Sequence, residues 1–151
     1  MNNSLERFVL AQRDSYPVAL QEVKNGMKTS HWMWYIFPQI SGLGHSSLAT
    51  YYAISDLDEA RAYLSDIVLG NRLKEISNEL LKLETIEPVL VFGKVDALKL
   101  NSSMTLFDYV SDGEDVFQRV LDKFYDGRKD ELTLNICKNM KGKSFYKKKI
   151  S

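Results

Sequence analysis

The chain has almost nothing with which to brace itself covalently. One cysteine in 151 residues, Cys137, leaves no intramolecular partner, so a disulfide framework is excluded. In LTLNICKN it reads as a small apolar packing residue. No apolar run approaches the roughly 18 residues of a membrane span. The opening MNNSLERF places charge where a signal peptide needs an apolar stretch. The expectation is a cytoplasmic protein with no membrane partner. Metal ligands are equally sparse: His31 and His45 are the only histidines, and no HxxxH or CxxC pattern accompanies them, so no metal site is expected. There is no GxSxG elbow and no histidine beside Cys137, which removes the familiar nucleophile motifs.

Net charge is absent as well, with 20 basic and 20 acidic residues, but the balance is uneven. Lys138, Lys141, Lys143, Lys147, Lys148 and Lys149 all follow the last acid, Glu131. The remaining 14 basic residues face 20 acidic ones, a body at about minus six that would repel a polyanion. Nucleic acid is therefore disfavoured as a partner, except through the lysine tail at 141–151, where KGKSFYKKK interleaves aromatics with lysines.

What the chain does have is helical periodicity. Asn3 with Glu6 forms a capping-box pattern ahead of Leu5, Phe8 and Val9, a short first helix. Pro17 then opens a second, with Tyr16, Leu20, Val23 and Met27 on one face and Gly26 near its stop. Ser55 with Asp58 starts another, through Leu57, Ala60 and Leu64. Leu69, Leu73, Ile76, Leu80 and Leu83 make the cleanest amphipathic stripe. Ser111 with Glu114 introduces Phe117, Val120, Leu121 and Phe124, ending at Gly127, and a last helix follows Asp130. Only PVLVF, 88–92, reads as strand, and a lone strand has nothing to pair with. The expected fold is mainly α, a compact single-domain helical bundle of about six to eight helices over 1–140, followed by the 141–151 tail.

TSHWMWYIFPQISGLGH, residues 29–45, holds both tryptophans and both histidines. WMWYIF is apolar on every face and must be largely buried, whether as a helical turn capped by Ser30 or as an extended segment stopped by Pro38. Polar residues flank it: Lys28, Thr29, Ser30 and His31 before, Gln39, Ser41, His45, Ser46 and Ser47 after. Aromatic walls with a polar rim are what a small-molecule pocket needs. GLGHSS places Gly44 and Ser46 at a helix start whose free amides suit a phosphate or carboxylate. KLNSSMTLF repeats the theme with Lys99, Asn101, Ser102, Ser103 and Thr105 at what reads as a second helix start. The candidate ligand contacts are therefore Lys28, Ser30, Trp32, Trp34, Gln39, Gly44, Ser46, Lys99, Ser102 and Ser103. His31 and His45 are candidates for acid–base catalysis because imidazoles titrate near neutrality. On this reading the three polar clusters converge on one cavity, with the two histidines side by side.

LERFVLAQ, GMKTSHWMWYIFPQISGLGHSS, YYAI, LGNRL, LKLNSSMTLF and VLDKFYDGRKDELTL resemble, in order and up to about residue 137, the signature blocks of the domain of unknown function 1810 family, some of whose members carry a calpastatin label. The resemblance implies a compact, mainly helical single domain in bacteria and no particular function. VLDKFYDGRKDELTL and the histidine–aromatic block followed by glycines are also similar to pieces of helical proteins that bind or cleave compounds derived from NAD and ADP-ribose. Three functions follow. A pocket for a phosphate-bearing, nucleotide-like small molecule leads, and it names neither a cofactor nor a reaction, so whether the chain is an enzyme stays open. The alternatives are a protein-interaction module presenting the aromatic 32–37 block as an exposed patch, and nucleic-acid binding through the tail.

Overall fold

A computed structural model describes the backbone of residues 3–150 and the side chains of residues 5–140. Eight helices occur among the described residues: α1 (Asn3–Asn25), α2 (Met33–Ile36), α3 (Ser47–Tyr51), α4 (Leu57–Ser65), α5 (Leu69–Leu81), α6 (Pro88–Val110), α7 (Val116–Tyr125) and α8 (Glu131–Ile150). No strand is present among them, only an isolated parallel bridge between Ile40 and Ile54. The fold is thus an all-α bundle. No helix among the described residues is long and apolar enough to cross a membrane.

The regular stripes behave as apolar helix faces must. Leu69, Leu73, Ile76 and Leu80 of α5 are buried, as are Phe117, Val120, Leu121 and Phe124 of α7. These faces meet α1 and α6, which pack most extensively on α5 and α7 respectively. A run of aromatic contacts threads the core from Phe8 to Tyr63 (5.2 Å), Phe107 (5.3 Å) and Phe117 (6.0 Å). Asp130 caps α8, accepting from Thr133 N at 2.9 Å. The α5 C-terminus is closed by Lys123, whose ammonium donates to the carbonyls of Leu80, Leu81 and Leu83.

Four local readings are corrected. Pro17 does not divide the N-terminal region: α1 is one helix with Pro17 inside. A proline there lacks the N–H and crowds a carbonyl one turn back, but Pro17 is exposed, so water can serve the freed carbonyl. Tyr16 on one side bonds Glu75 of α5 at 2.6 Å, and Ala19 and Val23 on the other are buried, so packing holds both halves in line. PVLVF is not a strand but the opening of α6, with Pro88 in its first turn. Val91 and Phe92 are buried there, and Phe92 stacks edge-on against Trp32 and Phe37. Tertiary burial outweighs the small β preference of valine. Gly93 then bends the helix, its φ of 81° being one that only glycine takes freely. At α4 the cap is Asp56, which accepts from Glu59 N at 2.8 Å, rather than Ser55, whose own N–H donates to the Glu59 carboxylate. Ser111 does not cap α7 either: its hydroxyl lies against the carbonyls of Asp108 and Glu114, and α7 begins at Val116. The Asn3 side chain and the lysine-rich side chains of 141–151 lie outside the described residues.

Where α5 starts, a Cβ placed on Gly70 would sit 2.0 Å from the Leu64 carbonyl oxygen at the end of α4. Backbone cannot yield as a flexible side chain does. Gly70→Ala is expected to destabilise the fold by about 2–3 kcal/mol through forced separation of these helices, seen as a lower denaturant midpoint with little change in slope.

Candidate functional site

The segment after α1 turns on one carboxylate. Glu22, in the last two turns of α1, accepts from Thr29 N (2.9 Å), Thr29 Oγ1 (3.0 Å), Ser30 N (3.0 Å), Ser30 Oγ (2.5 Å) and the Trp32 indole Nε1 (2.9 Å). Partial burial pushes the pKa of Glu22 up, but bonds from Ser30, Thr29 and Trp32 to the ionised form outweigh it and hold the value at about 2 against an ordinary 4.5. Ser30 and Trp32, expected as ligand contacts, are thereby committed to the fold. Trp32, Met33, Ile36 and Phe37 are buried, and Trp34 and Tyr35 are half-buried at the edge of the block. The WMWYIF run is helical over Met33–Ile36, with no side-chain cap.

Lys28 is held in place by three partners. Its ammonium pairs with Asp96 (2.8 Å), donates to the Ser30 carbonyl (2.6 Å) and lies 5.0 Å from the Trp32 ring centre. Asp96 also meets Lys99 at 3.5 Å, and the Lys99 ammonium stands 4.8 Å over the ring of Trp34. Two cations thus share one carboxylate, a local excess of one positive charge. Lys28 is sealed in, with 8% of its side chain exposed, whereas Lys99 retains 24% and faces outward over Trp34.

Trp34 is also one wall of a cavity of about 40 Å³. Gln39, Ser41, Gly44, Thr50 and Tyr52 line it with Trp34. The side chains of Gln39, Ser41, Thr50 and Tyr52 have no hydrogen-bond partner among the described residues. Burial, and the neighbouring Tyr51 and Tyr35, raise the Tyr52 pKa, so its phenol stays a neutral donor. At about 10–15 Å³ per water, the cavity accommodates a few waters. Its outer wall is the 41–53 loop, whose base is tied by Ser41 N to Ile54 O and Ile54 N to Gln39 O, both 2.8 Å. Between residues 41 and 51 no side chain is buried. Ser46 caps α3 within this loop, accepting from Ala49 N at 3.1 Å.

The expected convergence of three polar clusters is only partly realised. Trp34, Gln39, Gly44 and Lys99 come together. His31 and His45 are exposed, line no part of this cavity, and their imidazoles have no hydrogen-bond partner among the described residues. Residues 99–103 are not a helix start: they lie inside α6, where the ladder consumes their amides. Ser102 is buried and donates to Leu98 O, and Ser103 is fully buried with an unpartnered hydroxyl. The polarity of this stretch serves the turn before α8: Asn101 donates to Arg128 O, and Thr105 accepts from Asp130 N. Glu22 and Asp96 are not among the expected site residues, because neither belongs to the polar clusters that flank the aromatic block. For Glu22 the available signal was the run of donors at 29–32 needing an acceptor. For Asp96 it was the i,i+3 spacing to Lys99. Among the described residues no group of three or more histidine, cysteine or acidic side chains could hold a metal ion.

The family model described as "Protein of unknown function (DUF1810)" matches residues 2–137, and the chain belongs to that family. Among solved structures it is similar to the conserved hypothetical protein Rv1873 from Mycobacterium tuberculosis, at 44% identity over 87% of this chain and 94% of that one, with a TM-score of 0.85. No curated protein matches.

Because the folded pKa of Glu22 lies below its unfolded one, its bonds stabilise the protein above about pH 4.5, and that contribution fades as pH falls toward 2. Glu22→Gln should lower the melting temperature most at neutral pH, and the gap to the natural protein should narrow through this window. A gap independent of pH would show that the charge of Glu22 is not what holds the loop.

Proposed function

We propose that the protein binds a small ligand with a planar group and an anionic substituent, of the phosphate-bearing, nucleotide-like class, at the Trp34 cleft. The observation that carries this reading is the Lys99 ammonium poised 4.8 Å over a half-exposed tryptophan that also walls a cavity of unpartnered polar side chains. The ring offers a stacking face, Lys99 a charge for the anion, and Gln39, Thr50 and Tyr52 offer donors that fix orientation. A cavity of about 40 Å³ holds no nucleotide, so the planar group enters by displacement of the 41–53 loop. That loop contributes no fully buried side chain between 41 and 51, so its opening is opposed mainly by the partly buried Leu43 and by the Arg7 bonds to the Tyr51 and Ala53 carbonyls. The aromatic block as a docking patch is disfavoured, since Trp32, Met33, Ile36 and Phe37 are inside. His31 and His45 stand outside the cavity, and the reading includes no reaction. It takes the protein as bacterial and cytoplasmic, a setting compatible with a lone buried thiol.

The test is a thermal-shift screen with inorganic phosphate, ADP-ribose, NAD and mononucleotides, followed by tryptophan fluorescence. A binder should quench emission in the natural protein and fail to do so in Trp34→Phe, where Trp32 alone remains. Lys99→Ala should weaken binding about tenfold while changing stability by no more than about 1 kcal/mol. Binding that persists unchanged in both variants places the ligand elsewhere, and silence across the panel removes the nucleotide-like class.

A further inference from the structure

The first third of α6 carries a second surface that the Trp34 cleft does not use. Val91 and Phe92 point into the core, but Leu90 and Val95 are each 66% exposed and Leu98 is 71% exposed. Ile86, just before the helix, and Val89 are exposed as well. The bend at Gly93 brings Val95 and Leu98 alongside Pro88 and Val89, forming an apolar groove of about 380 Å³. Ala97 and Tyr125 line its base, pinned to each other by the Tyr125 hydroxyl donating to Ala97 O at 2.5 Å. A Cβ on Gly93 would meet nothing within 4 Å, so the bend is not imposed by crowding and the face around it is open.

We propose that this face joins two copies of the chain in a two-fold symmetric dimer. Five large aliphatic side chains that are about half or more exposed amount to on the order of 500 Å² of apolar surface, as large as the biggest patch monomers commonly show. A stable interface needs about 800 Å² from each partner. The polar rim would make up the remainder. The face carries both halves of a fit, protruding Leu90 and Ile86 and the groove between Val89 and Leu98. That is the condition for an isologous contact, in which the same patch meets itself. Its rim has both signs of charge: Glu84, Glu87 and Lys94 are exposed, and none has an ion-pair partner among the described residues. A two-fold axis across the groove sets Lys94 of each copy against the acidic end of the other. A partner of one charge sign, such as an anionic bilayer or a polybasic peptide, would instead meet part of the rim as like charge.

The experiment is sedimentation velocity of the full-length protein from low micromolar to near-millimolar concentration, with phospholipid vesicles of neutral and anionic composition as a separate arm. The natural protein should sediment as a dimer that dissociates on dilution. Leu98→Glu, at a site too exposed to matter for folding, should weaken association by about tenfold or more with an unchanged circular-dichroism spectrum. Lys94→Glu and Glu87→Lys should each weaken it, and the double reversal should recover much of the loss. A protein that stays monomeric throughout overturns the proposal, and a monomer that co-sediments with vesicles assigns the face to a membrane surface. A dimer indifferent to both Leu98→Glu and the charge reversals also overturns it, because self-association then uses another face.

Discussion

Five donors on three residues, Thr29, Ser30 and Trp32, converge on the Glu22 carboxylate, and most of what surrounds the candidate site depends on that convergence. A carboxylate has two oxygens and about four lone-pair directions, so Glu22 is close to saturated. The bonds fix the entry of the chain into the aromatic block, which sets the Trp32 indole against Phe37 and Phe92. Trp34 lies on the opposite side of the same short turn, at the edge of the block. Lys28 is fixed from the same end, through its bond to the Ser30 carbonyl. A side chain in α1 thus bears on where the Trp34 ring stands and, through Lys28 and the Asp96 carboxylate it shares with Lys99, on the cation of the cleft, without touching either.

Glu22 is the last of a series along α1. Arg7 donates to the carbonyls of Tyr51 and Ala53 and pairs with Glu59. Gln12, fully buried, donates to Tyr35 O and to the Tyr63 hydroxyl. Tyr16 reaches α5 through Glu75. Each fastens another part of the fold to α1, helices α2, α4 and α5 as well as the irregular segments at 29–32 and 51–53, so a chain with no disulfide and little sheet pairing still positions its loops. Burying such groups is costly unless every partner is present. The charge-assisted bonds of Arg7 and Glu22 are shorter and stronger than neutral ones and offset that cost.

The legibility of the chain divides along this line. Apolar periodicity reports burial directly, so α5, α7 and the interior position of WMWYIF could be read from spacing. Local capping chemistry was readable where the capping side chain and the backbone donor are neighbours, as at Asp130 and Ser46, and slipped by one position at Asp56. What could not be read were choices settled across the core. PVLVF has strand composition, but Trp32 and Phe37 offer Val91 and Phe92 a helical surface and no strand offers them a ladder. Pro17 looks like a boundary until α5 holds both of its sides. Lys99, Ser102 and Ser103 look like one cluster in sequence, yet the long Lys99 side chain reaches Trp34 and keeps some exposure, while Ser103, one turn further along α6, is buried in the bundle. Half of the candidate site was therefore visible as composition, and the partition between its ligand-facing and fold-bearing members was visible only in three dimensions.

The bridge between Ile40 and Ile54 has a consequence for how the molecule can diversify. It clasps both ends of the 41–53 segment at a fixed separation, whatever lies between them. Doubling the length of such a segment adds only about 0.6 kcal/mol of closure entropy, and here Leu43 alone of the large apolar side chains from 41 to 51 packs, partly buried, against the core. The segment is in effect an exchangeable cassette on a frozen mount. Insertions, deletions and swaps between about 44 and 50 can retune what the Trp34 wall faces while Glu22, the Arg7 bonds to Tyr51 and Ala53, and the Tyr52 stacking stay in place.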